Sequence, residues 1–456
     1  MATMFDPVDG GVCRLLDPGA GIGSLTAAFL DLCAEGRLRF RAIATTAFEI
    51  DAMLLDKLRA TIAAYADRLP LASLLRNEDF IEATVNHLQF GNDEGFTHAI
   101  LNPPYKKIQG ASRHRLLLRQ VGIETVNLYS AFVALTLATM APGGQVVAIV
   151  PRSFCNGPYY RPFRDYLLSR AAIRHIHLFT SRDKAFRDDE VLQENVIIRL
   201  DRARPQGAAT LSTSTDDSFA DLASHQHPFD RIVFPGDPER FIHVPTSPAR
   251  DAIECLPAIH HSLDELGIHV STGPVVDFRL KPHLRDMPGP DTVPLLYPGH
   301  FEGQRVVWPR MDAKKPNALA RTAETEKWLY PNGFYCVVRR FSSKEEKRRV
   351  VASVTRPDAL GNAPRLGFEN HLNVFHENKL GLDASLAHGL AAYLNTTAID
   401  ENFRRFNGHT QVNATDLRLI KYPARDILMA LGKWAGSRKD APSQADLDAK
   451  LEELCA

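Results

Sequence analysis

Leu101-Asn102-Pro103-Pro104-Tyr105, preceded by the short apolar run from Thr97 to Ile100, decides how this chain is read. An apolar run of that length reads as a buried strand. A strand that empties into Asn-Pro-Pro-Tyr places an amide and an aromatic ring at the carboxyl edge of a sheet, where open α/β folds bind ligands. Pro103 and Pro104 fix their own φ angles and push the residue before each into extended geometry. The loop is therefore stiff, presenting one side-chain amide, bare carbonyls and one flat ring. Such a set suits a planar nitrogen whose lone pair is delocalised, such as the exocyclic amine of adenine. The Asn102 side-chain oxygen and the Pro103 carbonyl are placed to accept its two hydrogens, and Tyr105 supplies a stacking face worth about 1–3 kcal/mol. The other use of these residues is an ordinary strand exit with a capping Asn and a half-buried Tyr.

Upstream stands Leu15-Leu16-Asp17-Pro18-Gly19-Ala20-Gly21-Ile22-Gly23-Ser24. Leu15 and Leu16 read as a first strand, the glycines as a tight turn open to a ligand, and Ser24 as a cap for the next helix. Leu25, Ala28, Phe29 and Leu32 then share one helical face. The spacing G-x-G-x-G is one residue short of the dinucleotide fingerprint, which argues against a nicotinamide cofactor. Phe40 to Phe48 reads as a second strand ending at Glu49, with Asp51 opening an amphipathic helix through Leu69. Asn77-Glu78-Asp79-Phe80 follows.

Taken together and in this order, these segments resemble the gamma-type adenine-N6 DNA methyltransferases of type II restriction–modification systems. The resemblance implies S-adenosylmethionine as cofactor, held by Asp17, Pro18, Gly19, Ala20, Gly21, Gly23, Glu49, Asp79, Phe80 and Asn102. Within that set Glu49 would accept from ribose hydroxyls, Asp79 from the adenine amine, and Phe80 would pack on the adenine ring. Catalysis would fall to Asn102, Pro103, Pro104 and Tyr105. The implied fold is α/β. Residues 1–245 would form a Rossmann-like catalytic domain, a mostly parallel twisted sheet with helices on both faces. Residues 246–456 would form a mixed α/β DNA-recognition domain, joined through Pro245-Thr246-Ser247-Pro248. The family also has a Thr-Pro-introduced helix before the glycine loop; here only Met1 to Gly11 precede the first strand, so the expectation is a start inside that helix.

The remainder of the catalytic half reads as a buried helix from Val126 to Met140, a turn at Gly143-Gly144 and a strand from Gln145 to Val150. Gly110 and Ser112 read as a mobile loop before a helix. Arg152 and Phe154, at the next strand end, could border the substrate cleft. Glu194 to Leu200 resembles the family's last catalytic motif but carries only aliphatic residues where relatives often place a second stacking aromatic. Beyond the linker, long helices are expected to be scarcer. Phe406 to Arg418 resembles a segment near the end of recognition domains.

The charges balance, with 54 Lys and Arg against 54 Asp and Glu. DNA binding therefore needs local clusters. Lys106, Lys107, Arg113, Arg115 and Arg119 form one, and Arg339, Arg340, Lys344, Lys347, Arg348 and Arg349 a second. Candidate DNA contacts are Lys106, Lys107, Arg348, Arg349, His409, Thr410, Gln411 and Asn413, polar types that also make turns and caps. The six cysteines lack C-x-x-C pairs, which points to reduced thiols in a bacterial cytoplasm. No metal cluster and no membrane span is expected. Asp358, Glu377 and Lys379 have the residue types of a nuclease site, at a spacing that chance supplies. The expected partners are double-stranded DNA and a separately encoded restriction endonuclease, with the chain acting as a monomer. The competing readings are methylation of a planar nitrogen in RNA or in a protein glutamine, and a non-catalytic DNA-specificity subunit.

Overall fold

The computed structural model describes the chain except residues 92–93, 180–193, 246–252, 254–255, 313, 343–345, 362, 408–409, 439 and 456. Lys344, Cys255, His409 and the linker residues Thr246-Ser247-Pro248 lie outside the described residues. The chain divides into two compact units, residues 1–248 and 249–456.

The first unit is built on a nine-stranded sheet. Its strands are β1 (Val12–Asp17), β2 (Ala42–Phe48), β3 (Leu71–Arg76), β4 (Phe96–Leu101), β5 (Met140–Pro151), β6 (Ala171–Phe179), β7 (Asn195–Arg202), β8 (Ala209–Ser214) and β9 (Ala223–His227). They lie in the order β3-β2-β1-β4-β5-β7-β6-β8-β9. The five from β3 to β5 run parallel, while β7 is antiparallel to both β5 and β6. The connecting helices are α1 (Ser24–Ala34), α2 (Leu55–Ala63), α3 (Phe80–Phe90), α4 (Arg113–Gln120), α5 (Leu128–Thr139) and α6 (Arg161–Arg170). A strand buried on both faces must be apolar at every position, and β5 shows the division. Val146, Ala148 and Val150 join a core with residues of α3, α5 and α6. Val147 and Ile149 join another with Phe29 and Leu30 of α1. The sheet thus carries helices on both faces, as the sequence implied.

Several local expectations are shifted. Ser24 is the first residue of α1, and the cap position belongs to Gly23 with φ +88°. A Cβ at Gly23 would lie 2.9 Å from Leu58 Cδ1, so both the left-handed backbone and the close approach of α2 demand glycine. The helix after Asp51 is short: α2 ends at Ala63, and the chain turns through Leu69. Ser112 accepts from the Arg115 N–H as the cap of α4. The first residues pack inward, Phe5 lying edge-on to Phe29 with ring centroids 5.2 Å apart.

The second unit contains a six-stranded and a five-stranded sheet of short strands. It is not poor in helix. Helices Ala384–Leu394, Thr397–Phe406, Arg425–Gly436 and Gln444–Cys455 occupy its C-terminal part, and small residues set the packing of two of them. A Cβ at Gly389 would fall 1.8 Å from Leu428 O, and one at Gly432 1.7 Å from Ser385 O. The first and third of these helices therefore cross backbone against backbone. No helix among the described residues is long and apolar enough to cross a membrane.

Candidate active site

The chain leaves β1 toward β2 and β3 on one side and returns to β4 on the other, so the sheet order reverses between β1 and β4. Open α/β sheets bind ligands at that reversal. The glycine loop follows β1 and Asn102-Pro103-Pro104-Tyr105 follows β4. The two loops meet: a Cβ on Gly19 would lie 4.0 Å from Asn102 O and 3.7 Å from Phe132 Cε1. Asn102 and Pro104 are exposed, Pro103 buried and Tyr105 half-buried. The Tyr105 hydroxyl lies 3.4 Å from both Asn102 Oδ1 and Ile149 O, at the weak limit of hydrogen bonding. The buried Tyr129 stands edge-on behind the Tyr105 ring, centroids 6.1 Å apart.

The glycine loop is tied down from within. Asp17 is fully buried and accepts from Thr26 Oγ1 at 2.7 Å. Burial pushes its carboxyl up to about 6, and hydrogen bonds from Thr26 and the Gly19 backbone only partly offset this. A buried carboxylate with a raised folded-state pKa contributes nothing adverse below its unfolded value and a growing penalty as pH rises toward 6. Asp17→Asn is thus expected to stabilise the ligand-free protein at pH 8 by on the order of 2 kcal/mol. The gain should close as pH falls from 6 toward 4, and paired thermal melts across that range would check it.

Glu49, beyond β2, receives the Gly21 N–H at 2.8 Å and the Asp51 N–H at 2.7 Å on separate oxygens. Each oxygen keeps a lone pair for a further donor. The Ala20 N–H donates to Phe48 O, and Asn77 Nδ2 to Glu49 O, so the ends of β1, β2 and β3 are laced together. Gly21 has open space where a Cβ would stand, and on either side Ile22 and Ile50 are 47% and 68% exposed. Sequence reading passed over these two isoleucines. Their signal was an apolar residue directly after the second loop glycine and directly after the strand-end acid.

Other candidate residues have contacts of their own. Asp79 caps α3 by accepting the Glu82 N–H at 3.0 Å and also meets His114 Nε2 at 3.0 Å. Phe80 is 3% exposed, its ring against Phe48 and Phe132; it packs in the core behind the cleft. Arg152 and Phe154 do not border a cleft either. Arg152 is buried against Glu194 at 3.0 Å, and Phe154 packs edge-on to Phe163. All of β7 but its last residue is buried.

Of the basic cluster after Tyr105, Lys106 and Lys107 are exposed, whereas Arg113 pairs with Glu82, and Arg115 and Arg119 with Glu124. In the second unit Arg349 is 1% exposed, which rules it out as a phosphate contact. Its guanidinium bonds Ser342 Oγ and Asn407 and lies over the Phe403 ring. Arg348 is half-buried. Asn413 forms a capping box with Asp416; Thr410 is exposed, and Gln411 is half-buried with its side-chain oxygen accepting from Arg340. Asp358 pairs with Arg356 and Glu377 with Arg425; no metal-binding group of His, Cys, Asp or Glu occurs among the described residues.

A mostly parallel α/β sheet with two reversed strands, a glycine loop and Asn-Pro-Pro-Tyr at its switch point defines a methyltransferase of the Rossmann-like type. The chain belongs to the type II methyltransferases of restriction–modification systems. It is 54% identical to the type II methyltransferase M.BsuBI of Bacillus subtilis, over all of this chain and 91% of that protein. It is 43% identical to M.PstI of Providencia stuartii, over 94% of this chain and 85% of that one. The Eco57I restriction-modification methylase family matches residues 38–186. Among solved structures, the type IIL restriction-modification enzyme MmeI superposes with a TM-score of 0.55 over 97% of this chain and 69% of that one, at 12% identity, a likeness of fold.

Proposed function

We propose that this chain transfers the methyl group of S-adenosylmethionine to the N6 amine of an adenine flipped out of a specific duplex DNA sequence. The observation that carries the reading is the seating of Asn102-Pro103-Pro104-Tyr105 against the glycine loop, with Asn102 and Pro104 exposed beside Gly19. The cofactor suits the residues present. Glu49 has acceptor capacity for ribose hydroxyls, Gly21 leaves room for close approach, and Ile22 and Ile50 offer apolar surface to an adenine ring. When bound, S-adenosylmethionine supplies a methyl group on positively charged sulfur, an electrophile that needs only an aligned nucleophile.

Asn102 Oδ1 and the Pro103 carbonyl accept the two hydrogens of the target amine and keep its lone pair available. Tyr105 stacks on the base and is itself backed by Tyr129. The amine is paired inside a duplex, so the base must be extruded before these groups reach it. Lys106 and Lys107, exposed next to the ring, suit the neighbouring phosphates. The second unit reads the sequence, and the modified site is protected from a companion endonuclease in a bacterial cytoplasm, with the methyltransferase acting as a monomer.

Incubation with tritiated cofactor and, in turn, duplex DNA, structured RNA and protein tests the reading. Label in adenine N6 of DNA is expected; label in RNA or protein alone, or none at all, overturns it. At Tyr105 the expected order of damage follows ring area. Tyr105→Ala is expected to lower kcat/KM roughly ten- to a hundredfold, the worth of one stacking contact. Tyr105→Phe and Tyr105→Trp should stay within a few-fold of wild type, since both keep a stacking ring and the hydroxyl contacts to Asn102 and Ile149 are long, at 3.4 Å. Equal losses in all three would assign the role to the hydroxyl.

A further inference from the structure

In the second unit, Glu369 has a fully buried side chain. Burying a carboxylate is costly unless it is paired and hydrogen-bonded, and its partner is the half-exposed His371. The His371 backbone N–H donates to Glu369 Oε2 at 2.9 Å, and ring Nδ1 lies 2.6 Å from Oε1 and 2.7 Å from Oε2. A carboxylate only accepts, so Nδ1 carries the proton and Nε2 sits on the opposite edge of the ring. The His371 side chain is 40% exposed, and Phe341, itself 43% exposed, lies against it with centroids 4.9 Å apart.

The same end of the six-stranded sheet holds the polar segment that ends recognition domains in this family. The Ser342 N–H donates to Thr410 O and the Val412 N–H to Arg340 O. Arg340 bridges the two parts, donating from Nη1 to Asn370 O at 3.2 Å and from Nη2 to Gln411 Oε1 at 3.3 Å. An immobilised imidazole in the turn before Leu372 thus stands beside an exposed phenyl ring and a glutamine that pair across an isolated antiparallel bridge.

We infer that His371, held by Glu369 and flanked by Phe341, contacts a base edge and determines specificity at one position of the recognised sequence. Nε2 forms the hydrogen bond to the base, Phe341 excludes water beside it, and Glu369 is a positioning residue that fixes ring orientation. The inference rests on the proposed DNA methylation, and the test separates the two. Wild type, His371→Ala and Glu369→Gln would each methylate a plasmid library of randomised sites, read out by single-molecule sequencing. His371→Ala is expected to lose discrimination at one base pair by about ten- to a hundredfold, with its preference elsewhere unchanged. Glu369→Gln is expected to relax the same base pair. His371→Ala strips the buried Glu369 carboxylate of its ring partner and is expected to melt below wild type, so all three proteins are compared at a temperature where each is folded. An unchanged motif, or a uniform loss over all sequences, would overturn the inference and leave the proposed function standing. A wild-type chain that methylates no DNA would remove both.

Discussion

Asn102→Ala is expected to lower methylation by roughly a hundred- to a thousandfold while cofactor affinity changes by less than about threefold. The asymmetry follows from position. The glycine loop is held by Asp17, Thr26, Glu49 and Phe48, none of which depends on the Asn102 side chain. Its amide is exposed at the end of β4, where it can serve the target nitrogen. Losing an acceptor that acts on the nucleophile removes stabilisation of the transition state and alignment together. The order of magnitude matches the roughly 10²–10³ lost when a single preorganised polar group is deleted from an active site. Isothermal titration with the cofactor and single-turnover methylation measure the two quantities separately. A variant that keeps more than a tenth of wild-type turnover would assign the loop a scaffolding role instead.

Arg349→Ala is expected to destabilise the second unit by about 3–5 kcal/mol, the usual cost of removing one member of a buried charged network. Arg349 Nη2 donates to Asn407 Oδ1 at 2.9 Å, Asn407 Nδ2 donates to Asp416 Oδ2 at 3.0 Å, and the Arg349 N–H donates to Asp400. Burial raises Asp416 to about 7, while its bonds to Asn413 and Asn407 and the charge of Arg349 pull the other way. Without the guanidinium that pull is lost. Urea unfolding followed by fluorescence and limited proteolysis should show the second unit opening at lower denaturant. Arg348→Ala alone should cost clearly less than Arg349→Ala, because Arg348 is only half-buried. If Arg349→Ala melted like wild type and only lost DNA affinity, the phosphate-contact reading would return.

The first unit was legible because its signals are local. A strand, a glycine turn and a proline-stiffened exit each occupy ten residues or fewer, and their order fixed which strand ends would be neighbours. Arg349 shows why the second half was less so. In the sequence it stands among basic residues and reads as surface, yet the groups that bury it, Phe403 and Asn407, arrive more than fifty residues later. Asn413 looked equally suited to a base edge or a cap, and only the carboxylate of Asp416 decides for the cap. Ile22 and Ile50 were passed over for the opposite reason. Isoleucine beside a strand end is ordinarily core, and only the fold reveals that these two face outward.

The placement of β7 between β5 and β6 has a bearing on how the chain is made. Strands β1 to β5 can pair as successive β-α units soon after each is synthesised, because every new parallel partner arrives after a short helical crossover. β6 has no such neighbour waiting. Its place beside β5 is filled by β7, which emerges from the ribosome later. During that interval two apolar strands present unpaired edges, the kind of surface that invites mispairing with other chains. The vulnerable window narrows once β7 has cleared the ribosome and zips both strands together, and it closes on the far side of β6 only when β8 follows.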